Sequence, residues 1–306
     1  VPRPFPVIVG PTAGGKTALA VGVATRLRER GVPTEIVSAD SVQIFRGLDI
    51  GSAKPTEAER AGVPHHLIDV VEPEHRFTVH DWLAAAERAI DRIRGCGGVP
   101  VVVGGTNLYI KALLDGLFEG PEPDEGLRDQ LRAMSRAARR AELERIDPAA
   151  AARIHPNDER RTVRALEVFR QTGLPISAHQ KQWDAGPRPD ARLFGLDWPA
   201  EDLNRRINAR IRRMMEAGLL EEVRALVPRL GPQAREALGY KQLLRHLAGE
   251  WSLEEAVEQV KIETRRFAKN QRTWLRRLRS TPGSGWFSPV SVHPAKIAET
   301  VADACR

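Results

Sequence analysis

The stretch Gly10-Pro11-Thr12-Ala13-Gly14-Gly15-Lys16-Thr17 has the residue types and spacing of a phosphate-binding loop, G-x-x-x-x-G-K-[ST]. Gly10, Gly14 and Gly15 let backbone N–H groups turn towards phosphate oxygens with no Cβ in the way. Lys16 supplies a mobile cation, and Thr17 a hydroxyl suited to a phosphate-bound magnesium ion. Such a loop needs a strand before it and a helix after it, so that the positive end of the helix dipole faces the anion. The apolar run Phe5 to Val9 provides the strand, and a helical pattern from Thr17 to Arg30, ended by Gly31, provides the helix. The loop alone leaves open which phosphate compound it holds.

Asp40 is the second candidate. It follows the strand Thr34 to Ser38 directly, and groups just past strand carboxyl ends face the ligand crevice of a parallel α/β sheet. Asp40 and the loop are therefore expected on one rim. There it could hold magnesium through water or act as a general base; the competing reading is an Asp that caps its own turn. The run Val99 to Val103 reads as a strand buried on both faces, and it exits into Gly104-Gly105-Thr106. An NTP hydrolase often carries a magnesium-holding acid at such an exit, so its absence counts against ordinary ATP chemistry. The two glycines also permit close approach of a ligand or another backbone segment.

These groups require a sheet to position them. His66 to Val71 is a third candidate strand. Thr78 and Asp81 form a capping box for a helix that closes around Gly95, and Asn107 to Leu114 looks helical. Strands alternating with helices indicate an α/β fold, a phosphate-loop-type parallel sheet core flanked by helices, with residues 1–120 as its first part. Residues 121–190 read as an all-helical insertion domain, with helices at Leu127 to Ile146, Pro148 to Ile154 and Asp158 to Thr172, and with Pro121, Pro123, Pro187 and Pro189 at its ends. Residues 191–306 complete the core with a strand, Arg192 to Trp198, and helices at Ala200 to Ala217, Leu219 to Leu226, Tyr240 to Leu247 and Ser252 to Leu278.

The chain of 306 residues is 42% apolar and 28% charged, ordinary for a water-soluble globular protein. Lys and Arg number 47 against 40 Asp and Glu, a net charge of +7, which suggests a polyanionic partner if the charge is clustered. Two clusters stand out. Arg265, Lys269, Arg272 and Arg276 share one face of the last long helix, for which Val260, Phe267 and Trp274 form a core stripe; a solvated face competes with phosphate contact there. Arg160-Arg161-Thr162-Val163-Arg164 opens a helix, where cations oppose the dipole, as expected if an external anion meets them. Cys96 and Cys305, with no C-x-x-C, give neither a four-cysteine zinc site nor a disulfide framework, so a cytoplasmic home is expected. The start, VPRPFPVIVG, has no export-signal pattern, and no apolar run is long enough to span a membrane.

Several motifs occur in order: GPTAGGKT, Ser38 to Pro55 (SADSVQIFRGLDIGSAKP), Pro64 to Pro73 (PHHLIDVVEP), Val101 to Leu117 (VVVGGTNLYIKALLDGL), Arg153 to Gly173 (RIHPNDERRTVRALEVFRQTG) and Ala237 to Gln242 (ALGYKQ). With them the sequence resembles the tRNA dimethylallyltransferase, or tRNA isopentenyltransferase, family over nearly the whole chain. The resemblance implies transfer of a dimethylallyl group from dimethylallyl diphosphate to the exocyclic amine of the adenosine immediately 3′ of the anticodon, with release of diphosphate. It implies that Gly10 to Thr17 cradle that diphosphate with Mg2+ at Thr17 and help from Arg210, Arg206 being a weaker neighbour. Thr12 would face the oxygen next to the allyl carbon, with Lys16 and Asp40 also catalytic, Asp40 as the general base. It implies contact with the tRNA anticodon stem-loop through Asp40, Ser41, Val42, Gln43, Thr106, Arg128 and Arg160 to Arg164 (Arg160, Arg161, Thr162, Val163, Arg164). The insertion would grip the anticodon stem of a compact, bacterial-type enzyme, expected to be a monomer with no membrane partner. Gly14, Phe45, Asn107, Lys241 and Glu159 depart from the residues common in the family, Glu159 beside the basic cluster. Two other readings stay in view: a small-molecule or nucleotide kinase using the same loop, and a non-catalytic RNA-binding protein.

Overall fold

The computed structural model describes residues 3–118, 120–179 and 188–305, so Pro187, read as a boundary marker, lies outside the described residues. The elements in chain order are β1 (Phe5–Val9), α1 (Lys16–Glu29), β2 (Thr34–Ala39), α2 (Glu57–Arg60), β3 (His65–His66), α3 (Val79–Gly95), β4 (Val99–Gly104) and α4 (Asn107–Asp115). Then come α5 (Glu125–Ala133), α6 (Arg136–Ile146), α7 (Pro148–Arg153), α8 (Glu159–Thr172) and α9 (Ile176–His179). The chain returns with β5 (Ala191–Leu196), α10 (Ala200–Glu216), α11 (Leu219–Leu226), α12 (Pro232–Arg235), α13 (Tyr240–Leu247), α14 (Leu253–Leu278), β6 (Gly285–Phe287) and α15 (Pro294–Asp303). Two compact units result: Val1–Ala112 with Arg188–Arg306, and Leu113–Pro187.

The first unit carries one sheet of order β3-β2-β4-β1-β5-β6, with every described pairing parallel. β1 lies between β4 and β5, with Val7 opposite Val102 on one side and Leu193 on the other. Every residue of β1 and β4 is buried, which is why both read as unbroken apolar runs with no alternation. The chain steps from β1 outward to β2 and later from β4 across β1 to β5, so the crevice opens at the carboxyl ends of β1 and β4. Thr78 caps α3 in a capping box with Asp81, as its sequence predicts.

Several elements differ from their sequence patterns. The third strand stops after His65–His66, because Leu67 (φ 61°) and Asp69 (φ 56°) take left-handed backbone conformations. The segment turns to the loop after β2 instead: Asp69 N–H donates to Gln43 O and Val70 N–H to Ile44 O, and the Asp69 carboxylate accepts from Lys54 Nζ at 2.5 Å. The expected helix Leu127 to Ile146 is two helices, since Ser135 breaks the run and caps α6 through Ala138 N–H. In α14 Phe267 is 41% exposed, and the buried stripe is Ala256, Val260, Ala268, Gln271 and Leu275. β6 and α15 had no clear sequence signal; α15 packs on α1, where Gly22 meets Ala298.

The second unit, among its described residues, is helical. α5 to α9 enclose a core of Leu131, Leu143, Ala150, Ala151, Val163, Leu166 and Val168. No helix among the described residues of either unit is long and apolar enough to cross a membrane.

Candidate active site

The loop after β1 is built from backbone that L side chains rarely adopt: Ala13 has φ 59° and Gly15 φ 84°. Gly15 ends the loop as the first residue before α1, and no side chain caps that helix, so its first N–H groups stay directed into the loop. Side chains distant in sequence hold the rest. Gln271 Oε1 accepts from Thr12 N–H at 2.8 Å, and Gln271 Nε2 donates to Gly105 O at 2.8 Å. Trp198 Nε1 donates to Gly14 O at 3.0 Å, while Arg206 Nε donates to Ala13 O at 2.8 Å and its guanidinium stacks over Trp198 at 4.5 Å. Lys16 Nζ donates to Pro11 O at 2.8 Å, folded back onto its own loop. The β4 exit closes the far side: a Cβ on Gly105 would lie 2.7 Å from Gln271 Nε2 and 3.4 Å from Lys16 Nζ. The close approach permitted by Gly104 and Gly105 is thus taken up by the protein's own groups, with Ala39 O 2.1 Å from where a Gly104 Cβ would stand.

Asp40 leaves β2 one strand beyond β4 on the same rim. Its Oδ1 accepts from Val42 N–H at 2.9 Å and Gln43 N–H at 3.3 Å, so the turn-capping reading is correct for this oxygen. Both bonds end on Oδ1, which leaves Oδ2 for other donors. Thr106 ties the two exits together: its Oγ1 accepts from Ser41 N–H at 3.0 Å and donates to Ser41 Oγ at 3.2 Å. The loop and Asp40 also act on each other electrostatically. Burial pushes the Lys16 ammonium down to about 8, opposed by the charge of Asp40 and assisted by that of Arg210. Arg210, from α10, is lowered by burial and raised again by Asp40, and the Tyr109 phenol is raised by burial and then by Asp40.

The structure therefore brings together Gly10 to Thr17, Asp40 to Gln43, Thr106 and Arg210, all in the first unit. Gln43 is buried, with Oε1 accepting from Ser38 Oγ at 3.4 Å and Nε2 donating to Ser52 O at 3.3 Å and Ala53 O at 3.2 Å. The remaining candidates lie in the second unit and divide by environment. Arg160 and Arg161 are exposed, whereas Thr162 and Val163 are buried in the unit's own core, so neither side chain is available to an external partner. Arg128 and Arg164 both hold the fully buried carboxylate of Glu167, at 3.0 and 2.6 Å. At the start of α8 Asp158 caps the helix and lies 3.4 Å from Arg161, while Glu159 pairs with Arg139 at 2.5 Å and not with the arginines of its own helix.

Sequence reasoning missed Gln271 and Trp198. Gln271 had a signal: it is a polar residue on the buried stripe of an amphipathic helix, and a buried amide needs partners. Trp198 had none beyond its place at the end of a strand. A magnesium ion fits the donor chemistry of the loop, since Thr17 offers a hydroxyl, a hard oxygen of the kind that completes a shell supplied largely by phosphates and water.

A parallel sheet with a phosphate loop at its central strand, an acid on the same rim and two cations that have no carboxylate ion pair among the described residues defines a P-loop α/β enzyme. The chain belongs to the IPP transferase family, whose family model matches residues 43–278, with the isopentenyl transferase model matching residues 5–72. It is a prenyltransferase. A tRNA dimethylallyltransferase of Anaeromyxobacter dehalogenans is 47% identical over 289 residues, covering 92% of this chain and 94% of its own. One from Syntrophobacter fumaroxidans is 44% identical, covering 96% and 86%. The full-length tRNA isopentenylpyrophosphate transferase of Bacillus halodurans superposes with a TM-score of 0.71 at 37% identity, covering 99% of this chain and 97% of that one. A eukaryotic dimethylallyltransferase described as acting on tRNA gives 0.80 at 27% identity, covering 94% and 74%.

Proposed function

We propose that the protein transfers the dimethylallyl group of dimethylallyl diphosphate to the exocyclic amine of the adenosine immediately 3′ of the anticodon in tRNA. The convergence of Lys16, Arg210 and Asp40 on one rim supports this reading. The diphosphate sits in Gly10 to Thr17, where the first amides of α1, Lys16 and Arg210 take up the charge that builds as the C–O bond to the allyl carbon breaks. The Thr17 hydroxyl would hold a Mg2+ ion there, which would supply further charge stabilisation to the leaving group. Thr12 faces the oxygen that departs. The adenine amine attacks the allyl carbon, the C–O electron pair leaves with diphosphate, and Asp40 Oδ2 accepts the amine proton. An exocyclic amine is a weak nucleophile, so alignment and a base are both required. The target base must leave the anticodon-loop stack, and Ser41, Val42, Gln43 and Thr106 line the place where it arrives. Arg160 and Arg161 meet phosphates of the anticodon stem, with the helical insertion at 121–190 as the grip and Arg128 and Arg164 setting its shape. The protein acts as a monomer in the cytoplasm.

Incubation with labelled dimethylallyl diphosphate, unmodified tRNA and magnesium tests the proposal: label is expected in the RNA at one adenosine. Asp40→Ala should lower kcat by about a hundredfold to ten-thousandfold while tRNA still binds. Phosphoryl transfer from ATP without labelling of RNA would point to a kinase, and RNA binding without turnover to a non-catalytic protein; either overturns the proposal.

A further inference from the structure

Glu222, in α11, closes over the turn that follows Leu48. Its Oε2 accepts from the backbone N–H of Asp49 at 3.1 Å and of Ile50 at 2.7 Å, and its Oε1 from Gly51 N–H at 3.1 Å. Tyr240 Oη donates to Oε1 at 2.5 Å. Three consecutive amides and a phenol on one carboxylate make an anion-holding nest whose anion is a side chain of the same unit. Gly51 is required for it, because a Cβ there would lie 2.5 Å from the Tyr240 ring. Burial and the Glu222 charge push the Tyr240 phenol well above its ordinary range, so it remains a donor. The ring itself is fully buried among Leu48, Leu219 and Val223.

The far end of the same turn carries the carbonyls that orient the site. Ser52 O accepts from Gln43 Nε2 at 3.3 Å and from Arg210 Nη2 at 3.4 Å, and Ala53 O accepts from Gln43 Nε2 at 3.2 Å. One side chain assigned to the diphosphate and one assigned to the incoming base thus share an anchor made of peptide carbonyls. A carbonyl is a weaker hold than a carboxylate, and its direction is only as well defined as the turn that bears it.

We propose that Glu222 is a positioning residue for prenyl transfer: by pinning Asp49, Ile50 and Gly51 it fixes the Ser52 and Ala53 carbonyls that aim Arg210 at the diphosphate and Gln43 at the adenine. Tyr240 acts through Glu222 and does not touch substrate. The inference rests on the reaction proposed above. Sequence reading passed over Glu222 because a glutamate in the first turn of a helix is the ordinary helix-dipole choice. Nothing local distinguishes it from Glu221, which is exposed beside it and pairs only loosely with Arg224, at 3.8 Å.

The test compares kcat, KM for dimethylallyl diphosphate, KM for tRNA and Tm in wild type, Glu222→Gln, Tyr240→Phe and the control Glu221→Gln. A glutamine keeps one acceptor oxygen but turns an amide donor towards the turn's N–H groups. Glu222→Gln should therefore lower kcat/KM for both substrates by about tenfold to a hundredfold, at a temperature where it is fully folded. Tyr240→Phe should move the same constants in the same direction by less, and Glu221→Gln should move none. A lower Tm with kcat and both KM values unchanged would show a merely structural role and overturn the inference. If Glu222→Gln does not fold, Tyr240→Phe decides: shifted constants support the inference and unchanged ones overturn it. Wild type that transfers no label overturns the reaction and the inference together, whereas wild-type transfer with unaltered variants overturns the inference alone.

Discussion

Two cations of the candidate site and five arginines of the second unit are used in opposite ways. In the first unit Lys16 and Arg210 donate to carbonyls, Pro11 O and Ser52 O, and among the described residues neither has an ion pair with a carboxylate. In the second unit Arg128, Arg139, Arg140, Arg164 and Arg170 each pair with one, at Glu167, Glu159, Glu144, Glu167 and Glu142. A buried cation answered only by peptide dipoles is costly, and burial accordingly drives the Lys16 ammonium down to about 8. In the proposed reaction such a charge is held in readiness for the diphosphate. A cation answered by a buried carboxylate is already spent on structure.

The sharpest way to break this contrast is at Glu167. Its carboxylate is fully buried and accepts from Asp124 N–H at 2.8 Å as well as from Arg128 and Arg164. Glu167→Ala takes the carboxylate from Asp124 N–H and from two half-buried guanidinium groups, which among the described residues keep only Glu125 and Pro121 O, so it should cost about 3 kcal/mol of stability in the second unit. Thermal unfolding and hydrogen exchange on the α5 and α8 amides would read the loss. Unchanged protection would mean that Arg128 and Arg164 are not structural and are available to an external partner.

The contrast also explains what was legible in the sequence. The loop and the strands around it could be read because burial on both faces leaves unbroken β-branched runs, and because a phosphate loop has a local spacing. Asp40 could be placed on the rim from its position after β2. The third strand could not, since Leu67 and Asp69 adopt left-handed conformations that neither residue type signals, and the groups the segment meets instead, Lys54 and the carbonyls of Gln43 and Ile44, lie elsewhere along the chain. Arg164 and Arg161 look equivalent in sequence; only the fold shows that one meets Glu167 and the other faces outward. Trp198 and Glu222 act from far along the chain with no local pattern to report them, whereas Gln271 is marked only as a polar residue on a buried helix face, which does not name its partners. Position 267 was read as core because it continues a seven-residue step, but the helix buries the neighbouring Ala268.

A second prediction sharpens the other side of the comparison, at Lys16. Losing a charge-assisted contact worth about 1.5–3 kcal/mol, Lys16→Ala should lower kcat/KM for dimethylallyl diphosphate about tenfold to a hundredfold. The pH profile carries the more specific signature. Lys16 is a cation below about 8 and a neutral amine above it in the free enzyme. The wild-type kcat/KM should therefore fall as pH rises through 8 towards 10, by at most about tenfold per unit. Tyr109, raised by burial and Asp40, does not ionise in that window. Lys16→Arg should flatten this limb, because a guanidinium stays protonated throughout. A wild-type profile that is already flat to pH 10 would show that the loop's cation is not held as a strained, unpaired charge.

The smallest expected effect discriminates most finely between the arginines of the second unit. The Arg161 side chain is 74% exposed, and its nearest acid is Asp158 at 3.4 Å, an exposed pairing worth little in water. If it meets a tRNA phosphate, Arg161→Ala should reduce the slope of log affinity against log salt by about 0.7 to 0.9, with little change in Tm. Arg164→Ala should do the reverse, lowering Tm through the loss of its 2.6 Å contact with Glu167 while the slope changes less. Two substitutions of one residue type, within one turn of α8, would then separate binding charge from structural charge. Equal slopes for the two variants would place both arginines in one role and remove the distinction drawn between them.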